Sequence, residues 1–527
     1  MFDIVIFNGK IIDGSGTLPY IGNIGINGDM ISKIETSTSL RGNRIIDAEG
    51  MVVSPGFVDI HGHSDYFLLL NPQAESKVRQ GVTTEIGGNC GYSAAPIFGQ
   101  EAYERRVEYR KQFSLDLNWH TFQEYSDLLQ RIGISINFGL LLGHNTIRAS
   151  VMGKDDREPT RKELENMCIA VQNGMKEGAF GLSTGLIYPP ACFSKKDEIV
   201  AINSMVKRYK GVFTAHIRSE DDFVVEAVDE VVEIARKANV SVQISHLKTS
   251  RERNWGKLDS MFEIIERAIT EGVDVSCDRY PYIASHTGLQ AILPTWASEG
   301  NKETKITRLG DRASRKKIGD EIVMKHPEPD YWKTIVISIV VSEKNKAYEG
   351  MNIAEAADTV GKAPFEFAMD LLIEEEMNVS ATYFTMCEEN LMKIYGKPYT
   401  MIGSDSACRA DYGPLAEGKP HPRAFGTFPR VLGVYVREKG ILDLLTAVKK
   451  MTSDPCRKLG IQKRGEVREG FYADLVVFNP DTIMDKATYS EPIQYPEGIE
   501  YVIVNGDVTV EKGEHTECKS GRVLRKI

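Results

Sequence analysis

Eight short apolar runs, most of them separated by stretches with helical periodicity, limit the folds open to this chain more than any other feature. They are Phe57–His61, Thr83–Gly87, Ile136–Leu142, Phe180–Thr184, Val212–His216, Val242–His246, Val273–Cys277 and Thr400–Ser404. Runs of this length, bounded by turn signals, have the size of buried strands. The intervening helices carry signals of their own. Thr160-x-x-Glu163 is a capping box, in which each side chain satisfies a free N–H of the first turn. Leu164, Met167, Cys168, Val171 and Met175 follow on one helix face, and Gly178 stops the helix. Asp222–Ala238 and Lys257–Thr270 repeat the amphipathic pattern. Strand and helix alternating eight times predict an α/β chain built on a (β/α)8 TIM-like barrel, with a doubly wound open sheet as the alternative.

The ends of the chain have a different texture. Residues 1–54 and 462–527 hold short alternating runs broken by Asp-Gly and Asn-Gly turns, such as Asp3–Asn8, Ile21–Ile26, Ala473–Phe478 and Ile499–Val504. Chain ends often lie together, so one small β-sandwich domain built from both termini is expected around a barrel of residues 55–461. The last two barrel strands are far apart in sequence. An inserted lid subdomain is expected at about 285–345, where Trp296–Pro329 is polar and charge-rich. Thr334–Val341 is a further β-rich run with no evident place.

Composition excludes several classes. Hydrophobic residues make up 42% and charged residues 26%, which is ordinary globular usage and not that of a disordered or fibrous chain. With 74 acidic and 64 basic side chains the net charge is −10, opposite to what a nucleic-acid partner would select. No apolar run is long enough to span a bilayer. Met1–Ile6 reads as a strand and not as a secretory signal, and the eight cysteines form no Cys-x-x-Cys pair. A cytoplasmic location with reduced thiols is therefore expected. Oligomeric state is not legible.

The polar residues at the strand ends carry the chemistry. His61 and His63 close the first strand and, two apart, share a face. His216 ends the fifth strand, His246 the sixth, and Asp405 the eighth. In a barrel these carboxyl ends converge on one mouth. Each histidine alone reads as a satisfied core residue. Together with a carboxylate they would leave buried polar groups in need of partners, and a metal supplies one. Imidazole and carboxylate suit zinc; iron, manganese and cobalt take the same donors.

This arrangement resembles the amidohydrolase superfamily, with HxH on strand one, histidines on strands five and six, and aspartate on strand eight. Many members bridge two metals with a carboxylated lysine on strand four. Here that strand reads Gly181-Leu182-Ser183-Thr184-Gly185-Leu186, with no lysine. Cys90, in Gly87-Gly88-Asn89-Cys90-Gly91, is the candidate substitute. Together with Gly181–Pro190, Ile244–Lys248, Asp278–Tyr282 and His421–Arg430, this motif is similar to the D-aminoacylase (N-acyl-D-amino-acid deacylase) family over nearly the whole chain.

The resemblance implies zinc-dependent hydrolysis of N-acyl-D-amino acids to a carboxylate and a free D-amino acid. It implies a tight zinc site at Cys90, His216 and His246, and a weaker one at His61, His63 and Asp405 sharing Cys90. Asp405 would be general base and acid. Tyr188, Lys248, Arg423 and Ser285 would contact a small-molecule substrate bearing a free carboxylate. The chain departs from the family at Ser64-Asp65, at His286, and in added length over Cys408–Lys419. A cyclic amidase of the dihydroorotase or hydantoinase type, a dipeptidase for D-residues or isoaspartyl bonds, and a metal-free scaffold are the alternatives.

Overall fold

Alternating apolar and polar side chains at the two ends of the chain pair into one nine-stranded sheet. Phe2–Ile11, Tyr20–Asn27, Met30–Glu35, Gly42–Asp47 and Val52–Pro55 join Leu475–Phe478, Ile499–Val504, Asp507–Glu511 and Glu514–His515. The seam is antiparallel, with Leu475 opposite Pro55 and Phe478 opposite Val52. Ile4, Ile24, Val53, Leu475 and Val477 are buried in a core of its own. This computed structural model describes residues 1–37 and 39–526. Among these no helix is long and apolar enough to cross a membrane.

Val52–Pro55 leads into the first of eight parallel strands. These are β1 (Phe57–Asp59), β2 (Val82–Gly87), β3 (Asn137–Leu140), β4 (Gly181–Gly185), β5 (Val212–His216), β6 (Ser241–Ile244), β7 (Val275–Arg279) and β8 (Thr400–Ile402). One sheet runs β1-β2-β3; a second runs from Leu142–Gly143 through β4, β5, β6 and β7 to β8. Leu142–Gly143 continues β3 past a break at Leu141, whose N–H donates to Gly87 O of β2 at 3.0 Å. At the other edge, just beyond β8 and β1, Asp405 N donates to His61 O at 2.7 Å and His63 N to Ser406 O at 3.0 Å. Residues 522–526 leave the nine-stranded sheet: Phe138 N of β3 donates to Arg522 O, and Leu524 N to Phe138 O.

Each expected run overlaps one of these strands. The seventh starts later and ends later than apolarity suggests. Val273 N–H caps the preceding helix by donating to Ala268 O, and the strand runs on through Asp278 and Arg279, polar but 0% and 1% exposed. The helix Arg161–Lys176 has the expected capping box, with Thr160 N donating to Glu163 Oε2 at 2.7 Å and Glu163 N to Thr160 Oγ1 at 3.3 Å. It buries Met167, Val171 and Met175. Val224–Ala238 buries Val224, Val228, Val231 and Val232 in the same way, and Leu258–Thr270 buries Leu258, Met261, Phe262 and Ile265.

Between β7 and β8 lies an antiparallel sheet in which Ser285–Gly288 and Ile335–Ile339 flank Ser380–Tyr383. Leu289, Ile318, Ile335, Ile353, Leu372 and Ala381 form its separate core. The expected limit near 345 falls short of this unit, because its central strand arrives only at Ser380. The unplaced run Thr334–Val341 supplies the edge strand Ile335–Ile339.

A buried ion cluster ties β1, β2 and β8 together. Lys77 Nζ donates to Asp59 Oδ2 at 2.7 Å, Ser404 Oγ at 2.7 Å and Ser406 O at 2.8 Å, and lies 3.4 Å from Glu85 Oε2. Lys77→Met would strand two buried carboxylates, and we expect it to destabilise the fold by about 3–5 kcal/mol. Chemical denaturation checks this; a loss below about 1 kcal/mol would mean that the cluster is dispensable.

Candidate metal centre and substrate cleft

The carboxyl ends of the parallel strands bring the polar residues together. His61 follows β1, Cys90 follows β2, His216 ends β5, His246 follows β6, and Asp405 follows β8. Cys90, His246 and Asp405 have φ of +52°, +37° and +51°. Left-handed backbone at non-glycine residues costs on the order of 1–3 kcal/mol each and persists where the surroundings fix it. Around Cys90 the flanking glycines make the turn feasible. A Cβ on Gly88 (φ +74°) would lie 2.1 Å from Leu141 O, and one on Gly91 (φ +82°) 1.8 Å from Asn145 Oδ1.

Cys90 Sγ lies 3.3 Å from His61 Nε2 and 3.4 Å from His246 Nε2. Asp405 Oδ1 lies 3.0 Å from His63 Nε2 and 3.4 Å from His61 Nε2. Donor atoms of His61, His63, Cys90 and Asp405 fall within 4.8 Å of one another, and so do those of Cys90, His216 and His246. Among the described residues, neither buried ring nitrogen of His216 has a hydrogen-bond partner. A buried imidazole left so is costly unless a ligand completes it. Thiolate, imidazole and carboxylate form a zinc donor set, and one of the orphaned His216 nitrogens fits the same ion.

The electrostatics favour the ligating forms of Cys90, Asp405 and His216 and oppose that of His63. Burial opposes ionisation of Cys90, but His61 and His246 outweigh it and hold the thiol well below its ordinary range. Burial also opposes charge on Asp405, and Arg423 and His246 nevertheless keep its carboxyl well below normal. His63 is disfavoured as a cation by burial, yet its hydrogen bond to Asp405 and the Cys90 sulfur push it up to about 9. Burial moves His216 down, toward the neutral imidazole a metal requires.

Two carboxylates that sequence reasoning did not assign orient this set. Asp278 Oδ1 lies 3.0 Å from His61 Nδ1 and accepts from His246 N at 2.9 Å, while its Oδ2 accepts from Gln243 Nε2 at 2.6 Å. Glu220 Oε1 pairs with Lys248 Nζ and lies 3.1 Å from His246 Nδ1 and 3.6 Å from His216 Nε2. The signal for Asp278 was a charged pair, Asp278-Arg279, at the end of an apolar strand; Glu220 had none beyond its nearness to His216. Carboxylates behind metal-binding histidines typically contribute 10- to 100-fold in affinity. Asp278→Asn should weaken zinc binding by about that factor in competition with a chromophoric chelator, and unchanged affinity would deny it the orienting role.

A cleft of about 1080 Å³ opens over the centre, and Tyr188, Lys248, Ser285 and Arg423 all line it. Arg423 and Lys248 are 4% and 3% exposed, so neither is a solvated surface charge. Each is engaged by an acid of the chain itself. Arg423 Nη1 donates to Asp405 Oδ2 at 2.7 Å and Nη2 to His286 O at 3.3 Å, while Lys248 Nζ pairs with Glu220 and lies 2.8 Å from His246 Nδ1. His421 fixes the start of the Arg423 helix: its Nε2 donates to Ala284 O at 3.0 Å, and its Nδ1 accepts from Arg423 N at 3.0 Å. Tyr188 Oη hydrogen-bonds Thr287 Oγ1 at 3.0 Å, and its ring packs on His216 at 4.9 Å. Ser285 and His286 sit on the edge strand of the inserted sheet.

The sequence profile of the amidohydrolase family matches residues 44–510. Three proteins of Alcaligenes xylosoxydans xylosoxydans are similar over nearly their full length. A D-aminoacylase is 33% identical, covering 100% of this chain and 98% of the relative. An N-acyl-D-glutamate deacylase is 33% identical (99% and 96%), and an N-acyl-D-aspartate deacylase 32% (99% and 95%). Among solved structures, a D-aminoacylase with a binuclear metal centre, described by one-metal activation and second-metal attenuation, superposes with a TM-score of 0.83 at 33% identity over 100% of both chains. The N-acyl-D-glutamate deacylase of Bordetella bronchiseptica, complexed with zinc and a phosphonate mimic of the tetrahedral intermediate, gives 0.84 at 31% over 99% of both. An L-hydantoinase of Arthrobacter aurescens, 17% identical with a TM-score of 0.56 over 100% of both chains, shares the fold.

Proposed function

The chain belongs to the amidohydrolase family, and on that premise we propose that it is a zinc-dependent deacylase of N-acyl-D-amino acids, releasing a carboxylate and the free D-amino acid. The observation that carries this reading is the Cys90 thiol between the His61 and His246 imidazoles, at 3.3 and 3.4 Å, where other members use a lysine of β4. In the same reading β1–β8 close a (β/α)8 barrel, supported by the hydrogen bonds at both seams. The nine-stranded sheet is a small β-sandwich domain, residues 1–54 with 462 onward, and the inserted sheet is a lid.

Cys90, His216 and His246 would hold one zinc ion; His61, His63 and Asp405, sharing the thiolate, would hold a second, weaker one. When bound, zinc supplies Lewis acidity toward the acyl carbonyl and lowers the pKa of water toward neutrality. The remaining work falls to side chains. Asp405, held ionised by Arg423, takes the proton from water and passes it to the amide nitrogen, since an amine leaves poorly unless protonated. Arg423 turns part of its fork from Asp405 to the substrate carboxylate, and Lys248, Tyr188 and Ser285 add donors around it.

Arg423→Ala should lower kcat/KM for N-acyl-D-amino acids by about 100-fold, and should cost less with their α-methyl esters, which have no carboxylate to clamp. Equal losses on acid and ester in steady-state assays would remove Arg423 from that role. The proposal as a whole is tested by amine release from N-acetyl-D- and N-acetyl-L-amino acids with added zinc. We expect D-selective hydrolysis. Turnover of dihydroorotate or hydantoins without turnover of linear amides would favour a cyclic amidase instead.

A further inference from the structure

β4 offers no metal ligand, yet one of its side chains grips the loop that does. The end of this strand packs so closely on the Cys90 loop that a Cβ on Gly185 would lie 2.2 Å from Cys90 O. Ser183, two residues earlier and buried, reaches into the same loop. Its Oγ accepts from Gly91 N at 3.0 Å and donates to Gly88 O. One hydroxyl, acting as donor and acceptor at once, therefore joins the residue after Cys90 to the residue two before it. Asp65, buried just beyond β1, spans a longer stretch of the loop. Its Oδ2 accepts from Gly88 N at 3.0 Å and its Oδ1 from Ala94 N at 3.2 Å. Tyr125 Oη fixes Asp65 in turn, donating to its backbone carbonyl at 2.5 Å. Gly88 is thus pinned through both its N–H and its C=O.

Between these pins Cys90 has a φ of +52°, a backbone that a non-glycine residue keeps only where its surroundings fix it. The directions of Cβ and Sγ follow from that backbone. The bonds that hold the turn therefore also set where the thiol points, 3.3 Å from His61 Nε2 and 3.4 Å from His246 Nε2. Without them Cys90 would relax toward negative φ and carry its sulfur away from the two imidazoles. We propose that Ser183 and Asp65 are positioning residues for the metal centre, which aim the Cys90 thiol at the ion. The strand that supplies a lysine ligand in many members here supplies part of the clamp on the ligand that replaces it. This inference rests on the zinc reading above.

Two measurements on the full chain test it: zinc affinity in competition with a chromophoric chelator, and the sulfur-to-metal charge-transfer absorption of the cobalt-substituted protein. Ser183→Ala, which removes a single oxygen, should weaken zinc binding by about 10- to 100-fold, the usual loss when a contact behind a ligand is removed. It should also lower the cobalt–thiolate band. Asp65→Asn leaves one oxygen where two N–H groups each need one, and should move both readouts in the same direction; it decides the matter if the alanine variant does not fold. A role confined to holding the fold would lower the midpoint of chemical denaturation while the folded variant kept the wild-type affinity and band. That result from either variant overturns the inference and leaves the zinc reading intact. A wild-type protein that binds no zinc, or that binds cobalt without a thiolate band, overturns the zinc reading, and this inference with it.

Discussion

Cys90→Ala is expected to purify without tightly held zinc and to hydrolyse N-acyl-D-amino acids at less than about one-thousandth of the wild-type rate, even with zinc added. Cys90 belongs to both donor groups, the one with His216 and His246 and the one with His61, His63 and Asp405. Its sulfur lies between the Nε2 atoms of His61 and His246, and those rings hold it as thiolate. Alanine leaves a cluster of imidazoles with one carboxylate, already paired to Arg423. Second ligands cannot compensate, because β4 offers only glycine, leucine, serine and threonine where a bridging lysine would stand. Zinc per chain by atomic absorption, with kcat, reads the effect. One zinc per chain and more than a tenth of the activity would show that the thiol is not a bridging ligand.

Asp405→Asn should lower kcat by about 10²–10⁴, the usual loss when a positioned acid–base group is removed. Asparagine keeps the size of the side chain and can accept from Arg423, so the pocket remains and KM should move little. Asp405 is not in the group formed by Cys90, His216 and His246, so the tight zinc should be retained. Loss of turnover with that zinc in place separates proton transfer from metal binding. A variant with near-normal kcat would place the proton relay elsewhere, while one without zinc would make Asp405 chiefly a structural ligand.

The strand ends were legible because their physics is local. His61 and His63 stand two apart, and His216 and His246 end apolar runs, so short spacing rules place them at one mouth. Cys90 was not legible from residues alone, since a lone cysteine among glycines reads as a small buried hydrophobe; only the resemblance gave it a role. Long-range pairings were also hidden. Nothing near Ser285 announces that its strand pairs with Ser380–Tyr383, so the inserted unit looked shorter than it is. Asp278 was passed over because hydrophobic counting ends a strand at the first charged residue, whereas here burial is offset by His61, His246 and Gln243. Lys248 and Arg423 were expected to contact substrate. Their pairing with Glu220 and Asp405 depends on side-chain approach across different loops, which spacing cannot encode.

The thiol–zinc bond is the point on which the rest turns, and zinc-edge X-ray absorption of the purified protein measures it directly. The expected spectrum contains a sulfur scatterer at about 2.3 Å beside nitrogen or oxygen at about 2.0–2.2 Å, and loses the sulfur shell in Cys90→Ala. A zinc-loaded protein with only nitrogen and oxygen in its first shell would contradict it.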